Sequence, residues 1–132
     1  MKAHYLCPSC RCHINVNNDI VLIARACRGK RKGIVYLHAE LGNFETKFTD
    51  DFLPVDGDQV AFSCPICHFD LSIKNNSKLA RFAHIDQEGK ESTIIFSQIF
   101  GEKCTYKVED KKVTMSYGEH ISKYTNPEWY IE

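Results

Sequence analysis

The sequence predicts a mainly β fold of antiparallel strands with little helix. Thr, Tyr, Val and Ile dominate several short runs, and pleated sheets favour these residue types. Clusters of Gly, Asp, Asn and Pro separate the runs and favour turns. No long segment carries apolar residues at the helical period of about 3.6 residues. With 132 residues, the chain has the size of a single domain.

The runs predict a hairpin and, after an irregular stretch, a meander. Two β-branched runs, 20–24 and 34–38, flank a basic turn that contains glycine and are expected to pair as a hairpin. Residues 42–59 are rich in turn-forming residues and are expected to be irregular. A short strand at 60–63 then leads to a cysteine. The meander, 79–117, is expected to contain strands at 79–85, 93–100, 104–108 and 113–117.

Seven cysteines are the unusual feature of the composition. Their number is odd and four of them form two Cys-x-x-Cys pairs, which favours metal ligation over a disulfide framework. Zinc binds four thiolates tetrahedrally at about 2.3 Å, so two pairs supply a closed ligand set. The sequence therefore predicts one structural Zn²⁺ ion, with the ligands Cys7, Cys10, Cys64 and Cys67.

The two cysteine pairs lie in a short internal repeat. Placing residue 7 on residue 64 superimposes Cys-Pro-x-Cys on itself without a gap. Each unit is predicted to contain a strand, a cysteine turn and a strand with apolar residues two apart. Because one unit is too small to bury a face alone, two are expected to share one metal. The other matched pairs are Tyr5 with Phe62, Ile14 with Leu71, Val16 with Ile73, Asn18 with Asn75 and Leu22 with Leu79.

The two Cys-Pro-x-Cys units resemble the zinc-ribbon, or rubredoxin-like, class of metal-binding domains. The resemblance implies antiparallel β knuckles around the metal. In zinc ribbons the spacer between knuckles is usually modest, whereas 53 residues separate Cys10 from Cys64 here. A hairpin and a long loop are therefore expected as an insertion. The predicted zinc-binding domain, 1–132, comprises a first knuckle (4–16), the insertion (17–60), a second knuckle (61–73), the meander (79–117) and a C-terminal arm (118–132).

Other metal-binding candidates rank behind the four cysteines. Cys12 lies beside the first knuckle's pair and is the nearest substitute ligand, although the repeat places Phe69 opposite it. His68 follows the second pair and has two interpretations, a hydrogen bond to a thiolate or a half-exposed surface position. Cys27 and Cys104 lie in strand-like runs and are expected to pack as small apolar residues.

One enzymatic alternative uses a different ligand set. His38-Ala39-Glu40 is an H-x-E triplet, and it resembles the zinc-dependent nucleoside deaminases, in which a His and a Cys-x-x-Cys pair bind zinc. On that interpretation His38, Cys64 and Cys67 bind zinc and Glu40 is the general acid/base. Ser63 stands where that family has proline, and the flanking residues read as strands instead of helix starts. The deaminase pattern also leaves the first cysteine pair unexplained, so a non-catalytic protein is favoured.

The net charge is zero but is unevenly distributed. Residues 1–49 carry eight Lys/Arg against three Asp/Glu, and residues 50–132 carry nine against fourteen. The neutral total and the acidic second part favour a protein partner over a nucleic acid. The basic excess lies near a hairpin tip, where a solvated surface is favoured over phosphate binding. Candidates for at most weak nucleic-acid contact are Arg28, Lys30, Arg31 and Lys32.

Location and function are predicted in broad terms. No apolar run approaches the roughly 20 residues of a membrane helix, and the start has no apolar signal-peptide core, so a cytoplasmic protein without membrane contact is expected. The predicted function is a non-catalytic zinc module that binds another macromolecule. No small-molecule substrate is indicated, and a rubredoxin-like iron electron carrier is the other alternative.

The aromatic residues of the C-terminal arm have two interpretations. They either pack on the chain's own sheet or dock on a partner: Tyr124, Trp129 and Tyr130.

Overall fold

The computed structural model describes residues 4–27, 31–49, 52 and 54–124, and it confirms a mainly β, antiparallel fold. Arg28, Lys30 and the end of the arm from residue 125, with Trp129, lie outside the described residues. Within the described ranges, the one helical segment is a 3-10 turn at Ile121–Lys123. The strands are β1 (His4–Leu6), β2 (Asn15–Val16), β3 (Asp19–Ala26), β4 (Lys32–His38), β5 (Thr46–Phe48), β6 (Val60–Ser63), β7 (Ser72–Ile73), β8 (Asn76–Ile85), β9 (Glu91–Ser97), β10 (Thr105–Glu109) and β11 (Lys112–Tyr117).

The strands form two antiparallel sheets. In the first sheet, β3 pairs with β4 along one edge and with β2 and β6 along successive parts of the other, and β5 continues beyond β4. In the second sheet, β8 pairs with β9 along one edge and with β7 and β1 along the other, and β10 and β11 continue beyond β9. The predicted hairpin and meander are thus confirmed, and β5 adds a short strand to the stretch expected to be irregular.

The main core lies between the two sheets, on what we call their inner faces. Leu22 of β3 and Phe62 of β6 point into it from the first sheet, and Phe82 of β8 and Phe96 of β9 from the second. The rings of Phe62 and Phe96 meet with their centroids 5.5 Å apart, which joins the sheets directly. Burying one such side chain contributes about 1.5–3 kcal/mol, so this layer is a main source of stability.

The outer face of the second sheet carries a smaller core. Leu79, Ile95 and Tyr106 are buried there, and Ile121 and Tyr124 pack against them. The hydroxyl of Tyr106 also donates a hydrogen bond to the carbonyl of Ile121. The described beginning of the C-terminal arm therefore packs on the chain's own sheet.

The internal repeat extends through most of the described chain. Strands β1–β5, the first copy, recur in the same order as β6–β10, the second copy. β4 and β9 each have seven residues, and the loops after them contain Gly42 and Gly101, which share positive φ angles of 91° and 87°. Residues 17–60, interpreted from the sequence as an insertion, therefore carry strands that have counterparts after the second knuckle.

Each copy places its first strand in the other copy's sheet. β1 pairs with β8, where Tyr5 lies opposite His84, and β6 pairs with β3, where Phe62 lies opposite Ala24. Both exchanged strands run directly into a Cys-x-x-Cys turn. The exchange therefore sets each cysteine turn against the other copy.

The gap-free repeat predicted from the sequence is interrupted at β8. The amide of Val21 donates to the carbonyl of Ile14 (2.7 Å), and in the second copy the amide of Arg81 donates to the carbonyl of Leu71 (3.1 Å). Ile14 and Leu71 are 57 positions apart, whereas Val21 and Arg81 are 60 apart, so the second copy has three extra residues here.

The extra residues change which side chains correspond between the copies. Leu22 faces the main core and corresponds to Phe82, so the predicted match of Leu22 with Leu79 is wrong. The three extra residues are accommodated where β7 pairs with β8. There Ser72 pairs with Ala80, whereas its neighbour Ile73 pairs with Asn76.

A buried glutamine, Gln98, supplies hydrogen bonds at this irregular pairing. Its side chain is 1% exposed. Its amide nitrogen donates to the Ser77 carbonyl and the Ser72 hydroxyl, both at 2.8 Å, and its amide oxygen accepts from the Phe62 amide at 2.9 Å. One side chain therefore joins β6, of the first sheet, to β7 and β8, of the second.

We expect Gln98→Leu to lower the free energy of unfolding by about 2–4 kcal/mol, because the buried amide of Phe62 loses its acceptor. Gln59→Leu is a matched control, since Gln59 also donates to the Ser77 carbonyl but in an exposed position. Its cost should stay below about 1 kcal/mol. Denaturant unfolding measures both variants, and equal losses would contradict the role given to Gln98.

Candidate metal centre

The two cysteine turns have the same backbone structure. Turn 7–10 follows β1 and turn 64–67 follows β6, and the proline after each first cysteine presets the φ angle that a tight turn needs. The turns close when Arg11 and His68 donate their amides to the carbonyls of Cys7 and Cys64, both at 3.0 Å. Arg11 and His68 also share a left-handed backbone, with φ angles of 62° and 65°.

Four cysteine sulfurs converge between the turns. The sulfur atoms of Cys7, Cys10, Cys64 and Cys67 all lie within 4.8 Å of one another. The Cys7–Cys67 and Cys10–Cys64 distances are 3.7 and 3.8 Å, so each close pair joins the two copies. A tetrahedral ion with metal–sulfur bonds of about 2.3 Å places its sulfurs about 3.8 Å apart. The cluster is therefore compatible with a metal ion bound by these four ligands.

The first cysteine of each pair is fully buried, whereas Cys10 is half-buried and Cys67 is exposed. Burial raises the pKa of Cys7 to about 12. A hydrogen bond from the Phe69 amide lowers the pKa of Cys67 to about 7. A cation bound to the sulfurs would supply the charge that a buried thiolate at Cys7 needs.

Backbone amides also point at the buried sulfurs. The amide of Ser9 donates to the sulfur of Cys7, and the amide of Ile66 donates to the sulfur of Cys64, both at 3.3 Å. Hydrogen bonds of this kind partly neutralise the negative charge of thiolate ligands. Their repetition in both turns gives the cluster the same electrostatic support from each copy.

The other sequence candidates lie apart from this cluster. In the described part of the chain, the group that could hold a metal consists of the four predicted cysteines and leaves out Cys12. The imidazole of His68 is exposed and has no hydrogen bond to a cysteine sulfur among the described contacts. Packing is confirmed for the buried Cys104 and wrong for Cys27, which is exposed because β3 ends one residue before it.

The ligand set of the deaminase-like alternative is not brought together. His38 lies opposite Asp19, whereas Ser63, which precedes the second cysteine pair, lies opposite Ile23. Four residues along β3 separate these two positions by about 13 Å. The Nδ1 atom of His38 instead accepts a hydrogen bond from the amide of Glu40 at 3.0 Å.

Comparison with known proteins adds no relative to this description. No protein-family model matches the chain, and no curated protein or solved structure matches it significantly. No helical segment among the described residues has the length and apolar character needed to cross a bilayer. Fold and site together define a mainly β protein with a four-cysteine cluster that is compatible with a metal ion.

We expect His68→Gly to stabilise the protein by about 0.5–1 kcal/mol. A left-handed backbone costs a residue with a Cβ about 1–2 kcal/mol, and glycine adopts it freely but loses more entropy on folding. Arg11 is less suitable for this test because it forms a bidentate ion pair with Glu91. His68→Ala is the control, since it removes the imidazole but keeps the Cβ. Thermal unfolding distinguishes them, and an equal gain in both variants would contradict the backbone explanation.

Proposed function

We propose that this protein is a non-catalytic module in which Cys7, Cys10, Cys64 and Cys67 hold one structural Zn²⁺ ion, and that the folded module binds another protein. The convergence of four sulfurs carries the proposal. Zinc accepts four thiolates in a tetrahedral set without redox chemistry, in agreement with the resemblance of the knuckles to zinc ribbons.

The structural role follows from where the ligands come from. Each close sulfur pair contains one cysteine of each copy. One ion would therefore cross-link two turns that are far apart in sequence and hold the exchanged strands in place. Four thiolates also fill a tetrahedral shell, which leaves no position for a water molecule or a substrate.

Several surface features support a protein partner over a nucleic acid. The net charge is zero, and Arg31 in the basic run already lies 3.5 Å from the carboxylate of Asp58. The second knuckle exposes two large apolar side chains, Ile66 (56% exposed) and Phe69 (37% exposed). Aromatic side chains are enriched at protein interfaces, and Phe69 offers one beside the cysteine turn.

Metal analysis tests the first part of the proposal. Protein purified without added metal should contain one zinc ion per chain, with four sulfurs at about 2.3 Å in X-ray absorption. Cys64→Ser should lose the metal and melt at a much lower temperature, because structural zinc contributes on the order of 10–16 kcal/mol of binding free energy in small peptides. Cys12→Ser is the matched control and should keep both the metal and the melting temperature.

Three results would contradict this metal assignment. Red protein that contains iron would favour the electron carrier. A shell of one nitrogen, two sulfurs and a water oxygen would favour a catalytic site. Native melting of Cys64→Ser would remove the structural role.

Affinity capture tests the partner. The tagged chain, expressed in its own cells, should retain a stoichiometric protein after nuclease treatment. Ile66→Glu combined with Phe69→Glu should release that protein, because buried carboxylates oppose an apolar interface. Val55→Glu is the control, since Val55 is also exposed but lies in the loop before β6. Release by nuclease, or tight nucleic-acid binding at about 200 mM salt, would contradict a protein partner.

A further inference from the structure

The outer face of the first sheet carries apolar side chains that remain partly exposed. Along β3, every second side chain from Ile20 to Ala26 points into the main core, and the residues between them point outward. Directly paired residues of antiparallel strands share a face, so β4 and β5 extend this outward surface. Its adjoining apolar members form what we call the outer patch: Val21, Ile23, Ile34 and Tyr36.

The counterpart of the outer patch on the second sheet is covered by the chain itself. Tyr36 corresponds to Ile95, which is fully buried in the cluster that Ile121 and Tyr124 of the C-terminal arm pack against. An aliphatic and an aromatic side chain, three residues apart, therefore cover this face in the second copy. The fold itself thus shows which kinds of side chain suit such a face.

Positive charge accompanies the outer patch. Arg25 and Lys32 are exposed and lie directly opposite each other, and the exposed Lys47 lies opposite Tyr36. Like charges in directly opposed positions destabilise a sheet. Among the described residues, none of these three cations takes part in an ion pair. The one carboxylate on β3, that of Asp19, is six residues from Arg25, or about 20 Å along the strand.

We propose that the outer patch docks an acidic segment of a partner protein that also carries aliphatic and aromatic side chains. This docking rests on the proposed protein-binding function and defines the chemistry of the partner. Carboxylates of the segment would pair with Arg25 and Lys32 and relieve their mutual repulsion, while its apolar side chains cover Ile23 and Ile34. A second copy of the same face would bring cations against cations, which disfavours self-association through it.

A nucleic acid would use the cations but not the rest of the surface. Proteins that bind single strands stack successive bases on aromatic side chains, and one of the four members of the outer patch, Tyr36, is aromatic. The other three are aliphatic, and Ile34 is 38% exposed. Apolar peptide side chains therefore suit this surface better than a polar nucleic-acid backbone does.

A synthetic peptide with the proposed chemistry tests the docking face. The peptide Glu-Asp-Ile-Glu-Asp-Tyr-Glu-Asp, labelled with fluorescein at its N-terminus, places Ile and Tyr three residues apart, as in Ile121 and Tyr124. Its fluorescence anisotropy, titrated with the full chain at about 150 mM salt, should saturate at one peptide per chain. A control peptide with Ser in place of Ile and Tyr should bind about tenfold more weakly or less.

Charge-reversal variants test the role of the cations. Arg25→Glu combined with Lys32→Glu keeps a like-charge pair across the two strands and should weaken binding of the acidic peptide about tenfold or more. The same double variant should gain affinity for a peptide in which lysine replaces every acidic residue. Lys74→Glu combined with Lys78→Glu is the matched control. It makes the same change of net charge at exposed positions of the β7–β8 hairpin and should leave binding within about twofold.

Methyl NMR spectra of the unaltered chain locate the contact without any variant. The acidic peptide should shift the signals of Val21, Ile23 and Ile34 and leave those of Ile66 and Ile121 in place. Absence of saturable binding, equal weakening by both double variants, or shifts confined to Ile66 or Ile121 would each overturn the docking. Tighter binding of oligothymidine than of the acidic peptide would overturn it in favour of a nucleic acid.

These outcomes are distinguishable from failure of the proposed function. Zinc content and capture through Ile66 and Phe69 do not depend on the outer patch, so the docking can fail while a captured protein partner remains. Release of the captured material by nuclease contradicts the protein partner itself, whichever way the peptide titration ends.

Discussion

The exchange of first strands is the constraint on which the rest of the structure depends. β1 completes the second sheet and β6 completes the first, so neither sheet is complete without the other copy. Because each exchanged strand ends in a cysteine turn, its register determines where two of the four sulfurs lie. Side chains alternate between the faces of a strand, so a slip of one residue would turn them away from the cluster. Sheet pairing therefore also determines the geometry of the four-sulfur cluster.

The two copies differ on their outer faces. Ile95 of β9 is fully buried beneath the beginning of the C-terminal arm, which occurs once and has no counterpart in the first copy. Tyr36 occupies the corresponding place on β4, next to Val21, and remains half-exposed. The arm thus accounts for this difference between the two outer faces.

The sequence predicted the strands and the cysteine cluster, which local patterns encode. Runs of β-branched residues indicate strands, and two Cys-Pro-x-Cys pairs indicate four converging sulfurs. Each of these signals is contained in a few consecutive residues. The exchange of β1 and β6 has no such local signal, since each strand pairs with residues far away in the sequence. The sequence reveals the repeat only around the cysteines, because β4 and β9 each contain a run of consecutive apolar residues but share no identical residue.

The predicted match of Leu22 with Leu79 is wrong because the second copy has three extra residues. The same residues explain why Gln98 is buried. Three extra residues in a strand would turn every later side chain to the wrong face, since the alternation has a period of two. The second copy avoids this because the pairing of β7 with β8 is irregular between Ser72 and Ile73. An irregular ladder needs other partners for its backbone groups, and Gln98 provides them from within the core. The polar residue in this buried position therefore satisfies backbone groups that the irregular pairing leaves without a ladder partner.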